Sequence, residues 1–372
     1  MSVRHPSYWE SGLQPAPPAG ELAREVDVLI VGAGFMGRWL AYFLRGRSVQ
    51  VIERDGFSYG ASSRNAGFLT CGQVSEMLAD FETAGFDGVI DTFLRRRKGI
   101  ALARREFPEL ELDPCGSFDY DPVTERGREL LGQLNVAAGE KLYSVKPANL
   151  GGVEREAYFN AADAGVHPVK LLQTLQDHSP HARYAFGVRA VRVGDGTAEL
   201  EVAGQRVDVK YQRAFICTNA FAAELDASSP VVPGRGQVIV TSPVSTQTSN
   251  ALGYMNQGYD YFRFVDGRLL IGGGRNRFPA ETGTSELRPT VHVRQWLEQQ
   301  AELVIGHRDW TTEHHWAGMM GFVGGQHLGG SPRRRLDEHT EIIAGFGGMG
   351  VALAPLYAKD IAKKCPNRLK LP

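Results

Sequence analysis

Residues 26–53 constrain the fold most, because a strand, a glycine turn, a helix, a second strand and an acidic residue follow one another there. The apolar run 28–31 predicts a strand that is buried on both faces. A second strand, 49–52, leads to Glu53, which lies about 20 residues beyond the first glycine of the turn. The glycines form the pattern G-x-G-x-x-G and are Gly32, Gly34 and Gly37. Five parts in this order predict a dinucleotide-binding βαβ unit.

Each glycine of this motif has a physical task. The first permits the tight turn, the second lets the backbone approach a pyrophosphate, and the third lets the helix pack closely on the strand. The helix N-terminus directs its N–H groups and its positive dipole end at the phosphates. We predict that the carboxylate at the end of the second strand binds the ribose hydroxyls. The candidate contacts in this unit are Gly32, Ala33, Gly34, Phe35, Met36, Gly37, Glu53 and Arg54.

The composition is that of a soluble globular enzyme. The chain has 372 residues, of which 42% are hydrophobic and 22% charged. A net charge of −1 favours neither nucleic acid nor an anionic membrane as a partner. No apolar run approaches the roughly 20 residues of a spanning helix, and the N-terminus has no hydrophobic signal core. We therefore expect a cytoplasmic protein that acts on a small molecule.

The cysteines and histidines do not indicate a metal site. The four cysteines lie far apart, without metal or redox spacing, which favours reduced and mostly buried thiols. His314 and His315 are adjacent, so on a strand they would point to opposite sides. We predict that the protein binds no metal.

The remaining sequence alternates between helical and strand-like segments. We predict helices at 76–112, 166–176 and 351–364, and an exposed helix face for the basic run Arg95–Lys98. Residues 1–25 are expected to form an extended arm on the surface. The predicted strands are 188–193, 198–202, 206–211, 214–217, 236–242, 259–265, 268–272 and 341–344.

The loop Gly60–Gly67 reads G-A-S-S-R-N-A-G and resembles the D-amino acid oxidase superfamily of flavoproteins. That superfamily includes glycine oxidase, sarcosine oxidase and the γ-glutamylputrescine oxidase-like enzymes. Other motifs resemble the family in the same order along most of the chain. They are Ser7-Tyr8-Trp9, Thr218-Asn219-Ala220, the PGRGQ run 233–237, Tyr261-Phe262-Arg263, the segment 316–322 and the glycine-rich turn 345–350.

The resemblance implies an FAD cofactor. We expect the FAD to be non-covalent, since no cysteine stands at the family's attachment position. Small residues in the loops would let the backbone lie against the flat isoalloxazine ring. The sequence leaves two roles open for Arg64, a phosphate contact or a surface salt bridge. The implied contacts are Ala61, Ser62, Ser63, Arg64, Asn65, Ala66, Gly67, Thr218, Asn219, Gly347, Gly348, Met349, Gly350 and Val351.

The fold class implied is α/β (α+β), with a discontinuous Rossmann-like FAD-binding domain and an inserted antiparallel β-sheet substrate domain. The FAD-binding domain is expected at 26–75, 150–225 and 320–372. The substrate domain is expected at 76–149 and 226–319. The oligomeric state stays open.

The implied reaction is oxidation of a C–N bond in an amine or amino acid, with hydride transfer to flavin N5 and formation of an imine. Arg263 could bind a substrate carboxylate with two parallel hydrogen bonds, and Arg275 and Arg277 lie just beyond the same hairpin. Tyr259 and Tyr261 could donate hydroxyls or form an apolar wall. His315 and Trp316 could line the pocket, or be an exposed histidine and a core tryptophan.

Several positions depart from the family pattern. The family's Pro-Asp pair after Phe322 is missing, Met349 replaces a histidine, and Leu270 replaces the lysine that assists oxygen reduction in sarcosine oxidases. Three alternatives therefore remain. One is an FAD-binding relative without amine oxidase activity, and another is an NAD(P)-dependent dehydrogenase. The third is modification of an aminomethyl group on RNA, which the near-neutral charge makes less favoured.

Overall fold

The computed structural model describes residues 5–16, 22–110, 112–245, 249–323 and 332–365. The departure at 323–330 and parts of the predicted arm, including Pro17 and Pro18, lie outside these ranges apart from Val323. The described chain divides into two compact units, each built from three segments. Unit 1 comprises residues 1–11, 64–167 and 235–318, and unit 2 comprises 12–63, 168–234 and 319–372. One of the boundaries falls after Ser63, inside the loop that resembles the flavoproteins.

The described helices are α1 (Phe35–Phe43), α2 (Val74–Glu106), α3 (Glu125–Ala138), α4 (Pro168–Asp177), α5 (Pro279–Thr282), α6 (Val291–Ile305) and α7 (Gly350–Lys364). The four predicted helices are present, as α1, α2, α4 and α7, and α3, α5 and α6 were not predicted. Gly85 interrupts α2 with a φ of 66°, a left-handed conformation that glycine adopts without strain. Within the described ranges, no helix is both long and apolar enough to cross a membrane.

Unit 2 holds a mixed sheet around the predicted dinucleotide unit. Its strands are β1 (Glu25–Val31), β2 (Val49–Glu53), β8 (Ala182–Phe186), β9 (Val188–Gly194), β10 (Thr197–Val202), β11 (Gln205–Ile216), β17 (Arg333–Arg335) and β18 (Thr340–Ile343). The order is β17-β18-β11-β1-β2-β8, and β18, β11, β1, β2 and β8 run parallel. The fully buried Leu29 and Ile216 belong to its apolar core.

The predicted strands 206–211 and 214–217 are wrong as separate elements, because β11 continues through both. Its first half pairs antiparallel with β10, and its second half pairs parallel with β1 and β18. The polar pair Gln212-Arg213 suggested a break in the sequence. Partner strands on both sides keep these two residues within β11.

Unit 1 is built on a second, largely antiparallel sheet. Its strands are β4 (Ser117–Asp119), β5 (Tyr143–Leu150), β6 (Val153–Asn160), β12 (Val231–Pro243), β13 (Leu252–Met255), β14 (Asp260–Val265), β15 (Arg268–Gly273) and β16 (Thr312–Val323). The order is β16-β12-β15-β14-β13-β4-β6-β5. A separate pair joins β3 (Phe68–Leu69) to β7 (Ala164–Gly165). The structure confirms the mixed α/β class with an antiparallel second sheet.

One face of this second sheet is covered by α6. Phe262 and Ile271 on that face pack with Val293 and Leu297 of the helix in a core that is closed to solvent. A buried aliphatic or aromatic side chain contributes about 1.5–3 kcal/mol to folding. The helix ends at Gly306, whose φ of 87° is left-handed. One face of the sheet therefore packs against α6. The side chains on the opposite face make other contacts.

The N-terminal arm was predicted to be an extended surface segment. This prediction is wrong for the first part of the arm that the structure describes. Residues Tyr8–Glu10 form a 3-10 turn, and Trp9 and Glu10 are buried. The basic run Arg95–Lys98 is also not wholly solvated. Arg96 is buried and its Nη2 lies 3.3 Å from the Glu76 carboxylate. Both segments are held within the fold by a buried ion pair, Glu10 with Arg64 and Arg96 with Glu76.

The described cysteines are all free thiols, and Cys71, Cys217 and Cys365 are buried. The burial of most of the thiols agrees with the expectation from the sequence. Among the described residues, no cluster of three or more histidine, cysteine, aspartate or glutamate side chains has the arrangement of a metal site.

Candidate active site

The glycine turn of unit 2 closes so tightly that side chains are excluded from it. A Cβ on Gly32 would lie 2.8 Å from the Cys217 carbonyl oxygen, and one on Gly37 would lie 2.0 Å from the Gly32 oxygen. Gly32 also has a φ of 103°. A Cβ on Gly34 would approach Ser62 Oγ to 2.9 Å. The turn therefore presents bare backbone, which a pyrophosphate needs for close approach.

Glu53 ends β2 beside this turn. Its carboxylate accepts hydrogen bonds from the backbone N–H of Ala33 at 3.0 Å and of Asp55 at 3.4 Å. Burial raises the pKa of Glu53, and these two bonds oppose the shift. Arg54 points elsewhere, since it pairs with Glu224 at 3.1 Å and lies over the Phe221 ring at 4.1 Å. Glu53 thus lies beside the glycine turn, and its contact with a ribose stays a prediction.

The serines of the flavin-like loop support the turn in unit 2. Ser62 Oγ accepts a hydrogen bond from Phe35 N at 3.0 Å, at the start of α1. Ser63 is buried and donates to the Ser58 carbonyl at 2.9 Å. The Ser62 side chain therefore joins this loop to the N-terminus of α1.

The glycine-rich turn before α7 lies next to the end of β11 in unit 2. Asn219 Oδ1 accepts a hydrogen bond from Gly345 N at 3.0 Å, and Gly347 N donates to the Gly321 carbonyl at 2.8 Å. Asn219 has a φ of 47°, and Gly347 has a φ of 56°. The Thr218 hydroxyl is buried and has no hydrogen-bond partner among the described residues. The sequence-predicted contacts Thr218, Asn219 and Gly347–Val351 are therefore clustered.

These features fit a flavin dinucleotide. The bare glycine backbone admits a pyrophosphate, the carboxylate of Glu53 suits a ribose diol, and the Thr218 hydroxyl is a buried polar group that lacks a partner. A buried hydroxyl without a partner costs about 1–3 kcal/mol, which a ligand could offset.

Arg64 belongs to unit 1 and is buried, with 3% exposure. Its Nε lies 3.4 Å from a Glu10 carboxylate oxygen, and its Nη1 donates to the His5 and Ala317 carbonyls, both at 3.0 Å. The salt bridge considered from the sequence is therefore buried instead of lying on the surface. Its partner is the N-terminal arm, which argues against a phosphate contact.

The rest of the flavin-like loop is also anchored in unit 1. Trp9 Nε1 donates to the Asn65 carbonyl at 2.7 Å, and Gly67 N donates to Asn65 Oδ1 at 2.8 Å. Trp316 is fully buried, and its Nε1 donates to the Arg64 carbonyl at 3.0 Å. Trp316 is thus a core tryptophan that supports this loop, the second of the two alternatives.

The face of the second sheet opposite α6 collects two of the predicted substrate residues, Tyr261 and Arg263. Tyr254 pairs with Tyr261, and Arg263 pairs with Leu270, in the register of β13, β14 and β15. Directly paired residues of antiparallel strands share a face, as do alternate residues of one strand. All four side chains therefore lie on the face opposite α6. Tyr254 was not predicted from the sequence, although it lies in the short strand L-G-Y-M.

Arg263 is a buried cation on this face, with 7% exposure. Its Nη1 donates to the Gly67 carbonyl at 2.9 Å and to the Val166 carbonyl at 3.2 Å. In the described ranges no carboxylate lies within salt-bridge distance of it, and its Nε has no hydrogen-bond partner. The Trp9 ring lies 5.8 Å from its guanidinium carbon. Burial lowers the pKa of Arg263.

The other candidates differ in position. Tyr259 precedes β14, and the Arg275 guanidinium lies 5.2 Å from its ring centroid. Burial raises the pKa of Tyr261 to about 12, so its hydroxyl stays protonated at neutral pH. His315 is half-buried, lies 3.0 Å from Gln237 Oε1 through Nε2, and has a pKa that burial lowers to about 4. It is therefore neutral near pH 7.

Residues 27–364 match the family model of DAO, described as FAD dependent oxidoreductase. The chain belongs to this family. The DAO resemblance expected from the loop motifs is thereby confirmed. The protein is an FAD-dependent oxidoreductase, and the nicotinamide-dependent dehydrogenase alternative is set aside.

Individual relatives of this DAO protein are distant. A tRNA 5-methylaminomethyl-2-thiouridine biosynthesis bifunctional protein from Maricaulis maris is 24% identical over 353 residues, which cover 93% of this chain. The chain spans about half the length of that relative, 53%.

Solved structures share the DAO fold at low identity. Glycine oxidase from Geobacillus kaustophilus superposes with a TM-score of 0.72 at 19% identity, covering 92% of this chain and 95% of that one. L-Amino acid deaminase from Proteus myxofaciens, in complex with anthranilate, gives a TM-score of 0.74 at 13% identity and covers 99% and 96%. Identities this low establish the fold alone.

Proposed function

We propose that this FAD-dependent oxidoreductase oxidises the C–N bond of a small amino acid or amine. Hydride leaves the α-carbon, the nitrogen lone pair forms the C=N bond, the nitrogen loses a proton, and water hydrolyses the imine to a carbonyl compound and the free amine. Bound FAD supplies the oxidising power by accepting the hydride at N5. We assign cofactor binding mainly to unit 2 and substrate recognition to unit 1.

Arg263 carries the proposal. It is a buried cation that has no carboxylate partner among the described residues and shares a sheet face with two tyrosines. An isolated buried charge is costly unless it is paired. A substrate carboxylate would supply the missing negative charge. The Nε edge of the guanidinium is the part that the Gly67 and Val166 carbonyls do not use.

The tyrosines and the histidine would shape the reaction without acting as strong bases. Protonated Tyr261 can donate a hydrogen bond, and Tyr259 can form the wall beside Arg275. The amine must be neutral to release hydride, so flavin reduction should become faster as pH rises toward the amine pKa. Neutral His315 adds no charge to repel the substrate.

A test of the proposal measures bleaching of the flavin when substrates are mixed anaerobically with the purified holoprotein. The panel should pair amino acids and N-methyl amino acids with the matching amines that lack a carboxylate. Arg263→Met should weaken binding of the acids at least tenfold, since about 1.5–3 kcal/mol attaches to a charged hydrogen bond. The control Arg277→Met removes an exposed arginine, whose guanidinium stacks 4.3 Å from the Trp296 ring.

The outcomes separate two parts of the proposal. If no amine or amino acid bleaches the flavin, oxidation of a C–N bond is wrong. If Arg263→Met weakens the binding of acids and of plain amines equally, Arg263 does not bind the substrate carboxylate. The proposed reaction class is unaffected by that result. Arg263→Lys keeps the charge but loses the planar fork, so it should recover part of the affinity for the acids.

A second candidate substrate is an aminomethyl group on a nucleoside of RNA. The tRNA-modifying relative supports it, and the reaction class would be the same. The net charge of −1 gives the chain no general attraction for a polyanion. Adding 5-methylaminomethyl-uridine, free and within tRNA, to the panel decides whether this amine is preferred to amino acids.

A further inference from the structure

Arg38 follows the glycine motif directly and is fully buried, with 0% exposure. Across the described ranges, no carboxylate lies within salt-bridge distance of its guanidinium. Burial lowers its pKa to about 10, so it remains a cation at neutral pH. A charged residue in the first turn of a helix usually faces solvent. Here a cation lies beneath the cofactor turn, and neither the motif nor the family match assigns it a task.

The contacts of Arg38 lie entirely within unit 2. Its Nε donates to the Ala33 carbonyl at 2.7 Å, and its Nη1 donates to the Leu172 carbonyl at 3.1 Å and to Gln176 Oε1. Three aromatic rings surround the guanidinium, with centroids 5.3–5.9 Å from Cζ. They belong to Phe57, Tyr184 and Phe186. The side chain is therefore fixed in one orientation.

Ser58 repeats the contact with the turn. Its hydroxyl donates to the same Ala33 carbonyl at 2.5 Å and lies 3.5 Å from Arg38 Nη2. Two donors thus hold one carbonyl oxygen of the glycine motif. The Ala33 N–H is held as well, by Glu53. The Ala33 carbonyl belongs to the peptide that joins Ala33 to Gly34. Arg38 and Ser58, which bind this carbonyl, therefore fix the orientation of that peptide.

A trans peptide places its carbonyl and its N–H on opposite edges of one plane. No cis peptide occurs in the described chain, so the Ala33–Gly34 peptide follows this rule. With the Ala33 oxygen turned inward to Arg38 and Ser58, the Gly34 N–H points the opposite way, away from the guanidinium. Gly34 is the N-cap of α1, where backbone N–H groups are not used by the helix. This N–H is available to an anion.

We propose that Arg38 and Ser58 are positioning residues for the cofactor pyrophosphate. They hold the Ala33 carbonyl so that the Gly34 N–H faces a phosphate oxygen, and the buried cation adds positive potential to the turn. The turn is thereby arranged before the cofactor binds, which lowers the cost of ordering it. The role concerns the phosphates and not the adenosine.

The test compares ligands with and without the pyrophosphate on the full-length chain after removal of flavin. Binding of FAD, ADP and adenosine is measured for the wild type, Arg38→Gln, Ser58→Ala and the control Arg45→Gln. Arg45 lies exposed beyond the end of α1 and undergoes the same change of charge. Arg38→Gln should weaken the binding of FAD and ADP at least tenfold, and Ser58→Ala should weaken it about threefold. Adenosine should bind both variants as it binds the wild type, and Arg45→Gln should bind all three ligands like the wild type.

Equal weakening of ADP and adenosine by Arg38→Gln would show a general structural role and overturn the proposal. Unchanged ADP binding in both variants would also overturn it. If Arg38→Gln fails to fold, Ser58→Ala decides alone, because it removes one of the two donors to the Ala33 carbonyl and leaves the buried arginine in place. None of these readouts depends on amine oxidation, so the identity of the substrate does not affect the result.

Discussion

Two buried arginines beside the cofactor loops, Arg64 in unit 1 and Arg38 in unit 2, carry their charge in different ways. Arg64 has its own counter-ion, Glu10, within the same unit. Arg38 has backbone carbonyls, a glutamine and aromatic rings around it instead. Burying an ion requires compensation by pairing or hydrogen bonds. The charge of Arg64 is therefore neutralised by the fold, whereas that of Arg38 adds to the potential of the dinucleotide turn.

Absence of a carboxylate does not by itself indicate a ligand. Arg235 is also buried, and it donates to the carbonyls of Glu281, Glu286 and Arg288 within one segment of unit 1. What distinguishes Arg38 is the identity of the carbonyl it holds, which belongs to the glycine motif. Arg263 is distinguished by its place on a sheet face with Tyr261. The position of a buried cation decides its interpretation.

Removing Glu10 should convert Arg64 into a buried cation without a counter-ion, and this is the largest effect we expect. Glu10→Gln should lower the free energy of unfolding by about 3–5 kcal/mol, because one partner of a buried pair is lost. Urea unfolding of the holoprotein measures it. Glu82→Gln is the control, since Glu82 is exposed. A loss below about 1 kcal/mol, typical of a surface pair, would remove the contrast between the two arginines.

The second prediction concerns the negative charge nearest to the dinucleotide turn. Glu53→Ala should weaken FAD retention at least tenfold, since about 1.4 kcal/mol is a factor of ten and two hydroxyl hydrogen bonds would be lost. Measuring FAD release from the diluted holoprotein by flavin fluorescence tests this. Asp55→Ala, two residues on, is the matched control. Equal retention in wild type and Glu53→Ala would exclude the ribose contact.

Glu53→Ala also sharpens the comparison between the arginines. The Glu53 carboxylate attracts Arg38 through space and raises its pKa against the effect of burial. Without Glu53, the positive potential at the turn should rise. Inorganic pyrophosphate should then bind the variant at least as tightly as the wild type, while adenosine binds more weakly.

The dinucleotide unit could be predicted from the sequence because its signals are local. The spacing of the glycines and Glu53 depends only on one strand, one turn and one helix, and the structure has β1, α1 and β2 in that order. The uninterrupted β11 could not be predicted in this way. Its polar middle is held by strands that lie far away in the sequence.

The supporting contacts of the site depend on tertiary structure. Nothing near Ser7-Tyr8-Trp9 indicates that Glu10 will meet Arg64, which lies more than fifty positions further on. Arg38 looks like an ordinary solvated helix residue until α4 and β8 are placed around it. Residues that contact a cofactor follow motifs, whereas residues that hold those contacts in place are set by packing.

The smallest effect we expect concerns Leu270, which shares the face of Arg263. Leu270 is fully buried and pairs directly with Arg263 in the register of β14 and β15. From the sequence we predict that it occupies the position of the lysine that assists oxygen reduction in the sarcosine oxidases. The first electron transfer to oxygen creates negative charge, and a nearby cation stabilises that charge. If substrate carboxylate neutralises Arg263, the wild type should reoxidise slowly in air and turn over better with an artificial acceptor.

Leu270→Lys should therefore speed reoxidation several-fold, with flavin reduction by substrate less affected. Leu270→Met is the matched control, because it changes the shape of the side chain without adding charge. Stopped-flow mixing of the reduced holoprotein with aerated buffer, with and without a bound carboxylate, measures both rates. Fast reoxidation of the wild type that slows when carboxylate binds would show that Arg263 itself supplies the cation. Fast reoxidation that ignores the carboxylate would place the stabilising charge elsewhere and separate Arg263 from the chemistry of oxygen.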